Sequence, residues 1–292
     1  MTLIKATASA LLLSILATVQ VMASVSDDFP QVPADRLMTN DELVALLDIQ
    51  DNPELESIVN LYAVDPTDGL RALTRYFREA FSSRYYFDWK ELETRFGYYA
   101  RNFPSRKAGH LQNARIHMGL YPANAQWLLP YKNLKGNDVS AYELRHLARQ
   151  HKVLDMAFVH LYEDRDPVYV DYFTQQMRSL NEAFEAGEYE DDDGGNGVYE
   201  VFRAGYRVLN WWQIHAFFLG SQHYDDLDQL ELIRTMLHLG ASLHSRIQRF
   251  RYGNHQTRGA VALAVIAILM RDYAGTDNWF QDAIAILGEH LE

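Results

Sequence analysis

A glycine, an amide and an imidazole run together at Gly253-Asn254-His255, flanked by Arg251, Tyr252 and Gln256. Glycine opens backbone conformations closed to other residues. An Asn amide beside an imidazole can grip a carboxylate while a proton moves. The same residues also suit a plainer role, with Asn254 as the N-cap of a following helix and His255 on its surface. A second group is Tyr199, Glu200, Arg203, Tyr206, Arg207, Trp211, Trp212 and His215. At helical spacing Arg203, Arg207 and Trp211 share one stripe. Guanidinium pairs with carboxylate or sulfate and indole stacks on a sugar ring, so the stripe suits an acidic sugar. It equally describes a core helix with two tryptophans and solvated arginines. A third group, Trp127, Tyr131, Asn137, Tyr142, Glu143, Arg145 and His146, reads more as packing, with Glu143 kept as a substrate-binding candidate.

Other chemistries are excluded. The chain has no cysteine, which removes disulfides, thiolate metal sites and cysteine nucleophiles. It has eleven histidines, but their spacings match no zinc pattern such as H-E-x-x-H, so no metal and no cofactor is expected. P-loop, G-x-G-x-x-G and G-x-S-x-G motifs are all missing from the sequence. With 27 Lys and Arg against 39 Asp and Glu, the net charge of −12 argues against general nucleic-acid binding.

The elements that must hold these groups read as helices. From about Asn40 the apolar residues recur at helical spacing, and nowhere do they alternate as in a half-buried strand. One helix follows an Asp65-Pro66-Thr67-Asp68-Gly69 turn. A second runs from a Ser140 N-cap through Leu161 and stops at Asp164-Arg165-Asp166-Pro167. Further helices are predicted over Val168 to Glu185, Val198 to Leu219, Asp226 to Phe250, Gln256 to Tyr273 and Asp277 to Leu291. Glu188 to Gly197 reads as a loop, and Tyr85 to Asp138 as short helices with a long aromatic loop. The helix after Asn254 is apolar on all sides and should be covered all round. The expected fold is therefore all-α, an incomplete (α/α) toroid or barrel of antiparallel helical hairpins.

Met1 to Lys5 carries one positive charge, Ala6 to Val21 is apolar or small, and Val21-Met22-Ala23 offers a cleavage site. Residues 1–23 thus read as a secretory signal peptide and 24–292 as the mature domain, directed to a periplasm. No segment is long enough to cross a bilayer, so no membrane association is expected.

With those residues in view, the chain resembles the heparinase II/III-like polysaccharide lyases, in particular their heparin-sulfate lyase N-terminal domain. The resemblance spans most of the mature chain. It rests on Leu46-Leu47-Asp48-Ile49 through Pro53-Glu54-Leu55 to Ala72-Leu73-Thr74-Arg75-Tyr76-Phe77-Arg78, and on Tyr142-Glu143-Leu144. Arg203-Ala204-Gly205-Tyr206-Arg207 with Asn210-Trp211 is similar to the family's Ala-Gly-x-Arg…Asn-Trp segment, and Gly253-Asn254-His255 to its Gly-Asn-His signature. Arg203, where many relatives carry an acidic residue, and Arg145-His146, a shifted form of the usual Asn-Arg, depart from the pattern.

The resemblance implies β-elimination on an acidic polysaccharide containing uronic acid, such as heparan sulfate or alginate. Asn254 and His255 would be catalytic; Arg203, Tyr206, Arg207, Trp211, Arg251, Tyr252 and Glu143 would bind substrate. A net-acidic protein gripping a polyanion needs a local basic groove, so Arg203, Arg207, Arg251 and Arg258 are predicted around one cavity. In relatives the acid/base tyrosine and a C-terminal β-sandwich follow the Gly-Asn-His segment. Here Tyr273 is the one tyrosine downstream, about 25 Å or more along the helix from Asn254. Unless Tyr206 or Tyr252 substitutes, residues 24–292 are expected to be inert alone. Comparing their turnover with that of a version extended through any downstream reading frame checks this.

Overall fold

Short polar signals start half of the helices. Thr39, Ser140 and Asp225 form capping boxes with Glu42, Glu143 and Asp228, opening α1 (Asn40–Ala45), α6 (Ala141–Leu147) and α10 (Asp226–Arg246). Asn52 and Asp65 cap α2 (Pro53–Val64) and α3 (Pro66–Arg84), each with proline in the first turn. The remaining helices are α4 (Leu92–Asn102), α5 (Pro104–Met118), α7 (Val153–Tyr162), α8 (Val168–Ala186), α9 (Val201–Phe218), α11 (Asn254–Leu269) and α12 (Thr276–Glu289). This computed structural model describes residues 31–191, 196–251 and 253–291. Among the described residues there are no strands, only isolated bridges such as Leu47 to Tyr273. The protein is all-α. The segment predicted as a leader, residues 1–23, and Tyr252 lie outside the described residues.

Three sequence expectations are corrected. The Asp65 to Gly69 segment is no turn: Asp65 Oδ1 accepts from the Thr67 and Asp68 amides, so the helix begins at once. Gly69 is buried there because a Cβ would lie 2.4 Å from the Tyr62 Cα, which lets α2 and α3 touch. The predicted Ser140-to-Leu161 helix is two, α6 and α7. Gln150, buried and at φ 58°, turns the chain between them. Its Nε2 donates to Leu147 O at 3.0 Å and to Gln176 Oε1 at 2.7 Å, and its Oε1 accepts from Trp211 Nε1 at 3.3 Å. A left-handed residue is costly unless its surroundings fix it, and these bonds to α8 and α9 do so. The third correction concerns α11. It is covered by α3, α9, α10 and α12, yet Ile268 stays 42% exposed, so its cover is incomplete.

Neighbouring helices pack α2 on α3, α4 on α5, α5 on α7 and α7 on α8. Helix α9 lies against α7, α10 and α11. The core runs through all of these and holds Trp127, Trp211, Trp212, Phe81, Phe173, Phe218 and Tyr273. Tyr273 lies just past α11, stacked on Phe77 at 5.4 Å and fully buried. No helix among the described residues is long and apolar enough to cross a membrane.

Two core imidazoles make the fold acid-sensitive. Burial lowers His117 to about 4, and burial with the nearby Arg78 lowers His215 to about 3. The unfolded chain, with free imidazoles near 6.5, therefore binds more protons as pH falls below that value. Stability is full above about pH 6.5 and is lost as pH falls through that window, by about 1.4 kcal/mol per pH unit for each histidine. Urea unfolding across a pH series should show this decline, and His215→Phe should flatten it.

Candidate functional site

The site is set by one carboxylate. Glu200 is the N-cap of α9, has no solvent exposure, and accepts the Phe202 amide at 2.8 Å. Its Oε2 accepts from Arg203 at 2.5 Å, and its Oε1 faces His255 Nδ1 at 2.6 Å. A buried carboxylate is tolerable only when charge and hydrogen bonds answer it, and these three donors do. Because an ionised carboxylate can only accept, Nδ1 carries the proton, and Nε2 is the nitrogen left to take part in chemistry. The His255 ring is held flat between Phe202 at 4.8 Å and Phe250 at 5.5 Å.

Two glycines allow this meeting of helices. A Cβ on Gly205 of α9 would lie 2.9 Å from the Arg258 carbonyl oxygen of α11. A Cβ on Gly259 of α11 would lie 2.3 Å from Val201 Cγ1 of α9. The helices therefore cross in direct backbone contact near their first turns, which brings the α9 N-cap within reach of residue 255.

Cations and rings surround the pair. The Arg258 guanidinium lies 4.1 Å over the Tyr206 ring and donates to its hydroxyl at 3.3 Å. Arg149 lies 5.2 Å over Phe202 and 5.7 Å over Tyr206, its carbonyl tied to Asn210 at 2.8 Å. Burial first, and Arg203 second, lower the Arg149 pKa. His146 is likewise lowered, by burial, Arg149 and Arg203. Such stacked guanidinium groups favour an anion with a flat apolar body. Among the described residues no three His, Asp or Glu side chains could together hold a metal ion.

The predicted residues divide. His255, Arg203, Tyr206 and Arg258 come together, and Asn254 is exposed beside His255 at the first position of α11. Gly253, not Asn254, is the N-cap of α11, so the Asn254 amide is not spent on capping. Arg207 and Trp211 do not join them, because the predicted sugar-facing stripe is the core-facing one. Arg207 is fully buried, donates to Ala148 O at 2.9 Å and Val198 O at 3.0 Å, and lies over Tyr199 and Trp211. Burial lowers its pKa to about 10. Arg251 is exposed and pairs with Glu289 at 3.8 Å, so two of the four arginines predicted around one cavity are elsewhere. The Glu143 carboxylate accepts from the Ser140 amide and hydroxyl, both at 2.8 Å, in its capping box. Trp127 and Tyr131 are core residues.

Sequence reasoning missed Arg149 and the role of Glu200. Arg149 carries a faint signal, spaced seven after Tyr142 and three after His146. The Glu200–His255 pair spans 55 residues and carries none. Comparison of the chain with protein-family profiles, characterised proteins and solved structures finds no match.

Gly205→Ala should force α9 from α11, because the clash is with backbone. The expected cost is about 1–3 kcal/mol in denaturant unfolding, the usual scale for overpacking. The protected Nδ1 proton signal of His255 in NMR spectra should be lost with it.

Proposed function

We propose that this chain is the helical part of an enzyme that cuts uronic-acid-containing glycans by β-elimination, built as an (α/α) toroid. The observation that carries the reading is the carboxylate-held imidazole of His255 beside the stacked Arg149, Tyr206 and Arg258. The all-helical hairpins, and the cover of α11 by α3, α9, α10 and α12, support the toroid. The leader-like residues 1–23 support export to a periplasm.

A uronate C5 proton is too weakly acidic to remove until its carboxylate charge is offset. Arg258, Arg149 and the Asn254 amide are the donors for that task, since Arg203 is already engaged by Glu200. His255 Nε2 then takes the C5 proton, and Glu200 stabilises the imidazolium formed. The electron pair forms the C4–C5 double bond, the C4–oxygen bond breaks, and the departing oxygen takes a proton from the Tyr206 hydroxyl. Tyr206 thus fills the place that sequence reasoning gave to a downstream tyrosine.

A second reading is acidic-glycan binding without cleavage. The ladder of Arg149, Phe202, Tyr206 and Arg258 favours it, because it can hold an anionic ring without using His255.

One series of variants separates them. His255→Ala and Asn254→Ala should each lower turnover by about 10²-fold or more, the scale for losing a proton-transfer or charge-stabilising group. Retention of glycan should change only a few-fold. The measurement is ultraviolet absorbance of the unsaturated product on heparan sulfate and alginate. Full turnover in both variants sinks the lyase reading, and retention by the unmodified chain with no unsaturated product favours the binding one.

A further inference from the structure

Beyond the α9/α11 face, a cavity of about 180 Å³ opens between the end of α5, α6 and the turn into α7. A single water needs only about 10–15 Å³ of such space, so the cavity admits a small organic molecule. Drug-sized pockets begin at roughly 300 Å³, so it admits nothing much larger than one ring.

Its lining is rich in imidazole. His117 from α5 is 6% exposed, and its buried Nε2 has no hydrogen-bond partner. His146 from α6 also has a buried Nε2 without a partner, and its ring stands 6.0 Å from that of His151. Buried polar atoms in folded proteins are nearly always satisfied, so two orphaned nitrogens at one cavity call for a group to meet them. Lys152 adds a cation at the rim, and Tyr121 and Tyr142 supply flat walls.

The sign of the local field says what that group is. His117 feels His151 and Lys152; His146 feels Arg149 and Arg203. His151 feels Lys152, His146 and Arg149, opposed only by Asp155 of α7. From α8, Tyr172 meets His117 ring to edge at 5.9 Å and brings no charge. The one carboxylate in the lining, Glu143, is held by the Ser140 amide and hydroxyl. Neutral imidazoles in a cationic surround lack an anion.

We propose that this cavity is a proton-coupled oxyanion site, taking the carboxylate or other oxyanion group of a small ring-sized ligand and a proton together. The bound anion offsets the surrounding cations, so a lining imidazole that is neutral in the free protein accepts a proton from solvent. Burial holds His117 and His151 at about 4 in the free protein, which sets the direction of the coupling. Affinity rises as pH falls from neutrality, by up to about tenfold per pH unit for each proton taken up. The proposal does not depend on the lyase reading, since it uses neither His255 nor Asn254.

The experiment is titration calorimetry on the whole chain with glucuronate, sulfate and glucose, at about pH 7.5 and about pH 5.5, in two buffers of different ionisation heat. Glucuronate should bind at least tenfold tighter at the lower pH, with a heat that differs between buffers. Sulfate binding as well would mark any oxyanion as sufficient, and glucuronate alone would mark the carboxylated ring. Either supports the proposal. Lys152→Ala and His151→Gln, both on side chains with some exposure, should weaken binding about fivefold or more without unfolding the chain. Any of these overturns it: glucose binding as well as glucuronate, affinity independent of pH, no binding of either anion at millimolar concentration, or full binding in both variants. Binding lost on Arg258→Ala but kept in those two variants also overturns it, since the anion would then sit on the α9/α11 face.

Discussion

Glu200 is a carboxylate sealed from water at the first residue before a helix, and much else in this protein follows from having to neutralise it. One donor comes from its own helix end, one from Arg203 a turn later, and one from His255 on another helix. The third donor is available only because α9 and α11 cross closely, with Gly205 against the Arg258 backbone and Gly259 against the Val201 side chain. A bulkier residue at either position would move the imidazole away and leave the charge under-compensated, which is more costly than never having buried it. The geometry of the candidate site and the closeness of two core helices are thus one constraint.

That constraint explains what the sequence displays and what it hides. Helical periodicity, proline at first turns and capping boxes are local signals, so the all-α class and most helix positions could be read directly. The break between α6 and α7 could not, because Gln150 is held left-handed by Gln176 and Trp211, partners far along the chain. The Arg203–Arg207–Trp211 stripe was visible, but which way it faces was not. Spacing fixes which residues share a stripe and says nothing of whether that stripe meets a neighbour or water. Here α9 is enclosed by α7, α10 and α11, leaving Phe202 and Tyr206 on its open edge. Arg207 is accommodated inside by carbonyl oxygens and aromatic faces, a use of guanidinium that a sugar-binding reading does not anticipate.

Gly253-Asn254-His255 was legible as a candidate group because its residues are adjacent. Its partner was not, because the carboxylate that orients His255 lies 55 residues earlier. A motif read along the chain can nominate a proton-transfer group, whereas the tautomer of that group is decided by whatever the fold sets beside it.

The charge of the whole molecule sharpens the argument about ligands. A net charge of −12 repels anions at long range, so no broad field gathers an acidic ligand here. At physiological ionic strength exposed charges are screened beyond about 8 Å, so the ligand responds to what lies within that distance. Arg149 and Arg203 both bear on His146, which also lines the histidine-rich cavity together with Lys152. Low-dielectric surroundings strengthen interactions among these charges, as the lowered pKa of Arg149 and His146 records. Cations held this close in partly buried positions repel one another, and an arriving anion relieves that repulsion at several of them together. An acidic protein can therefore select an acidic partner through a small island of opposite sign, provided the partner places its charge within a few ångströms of it.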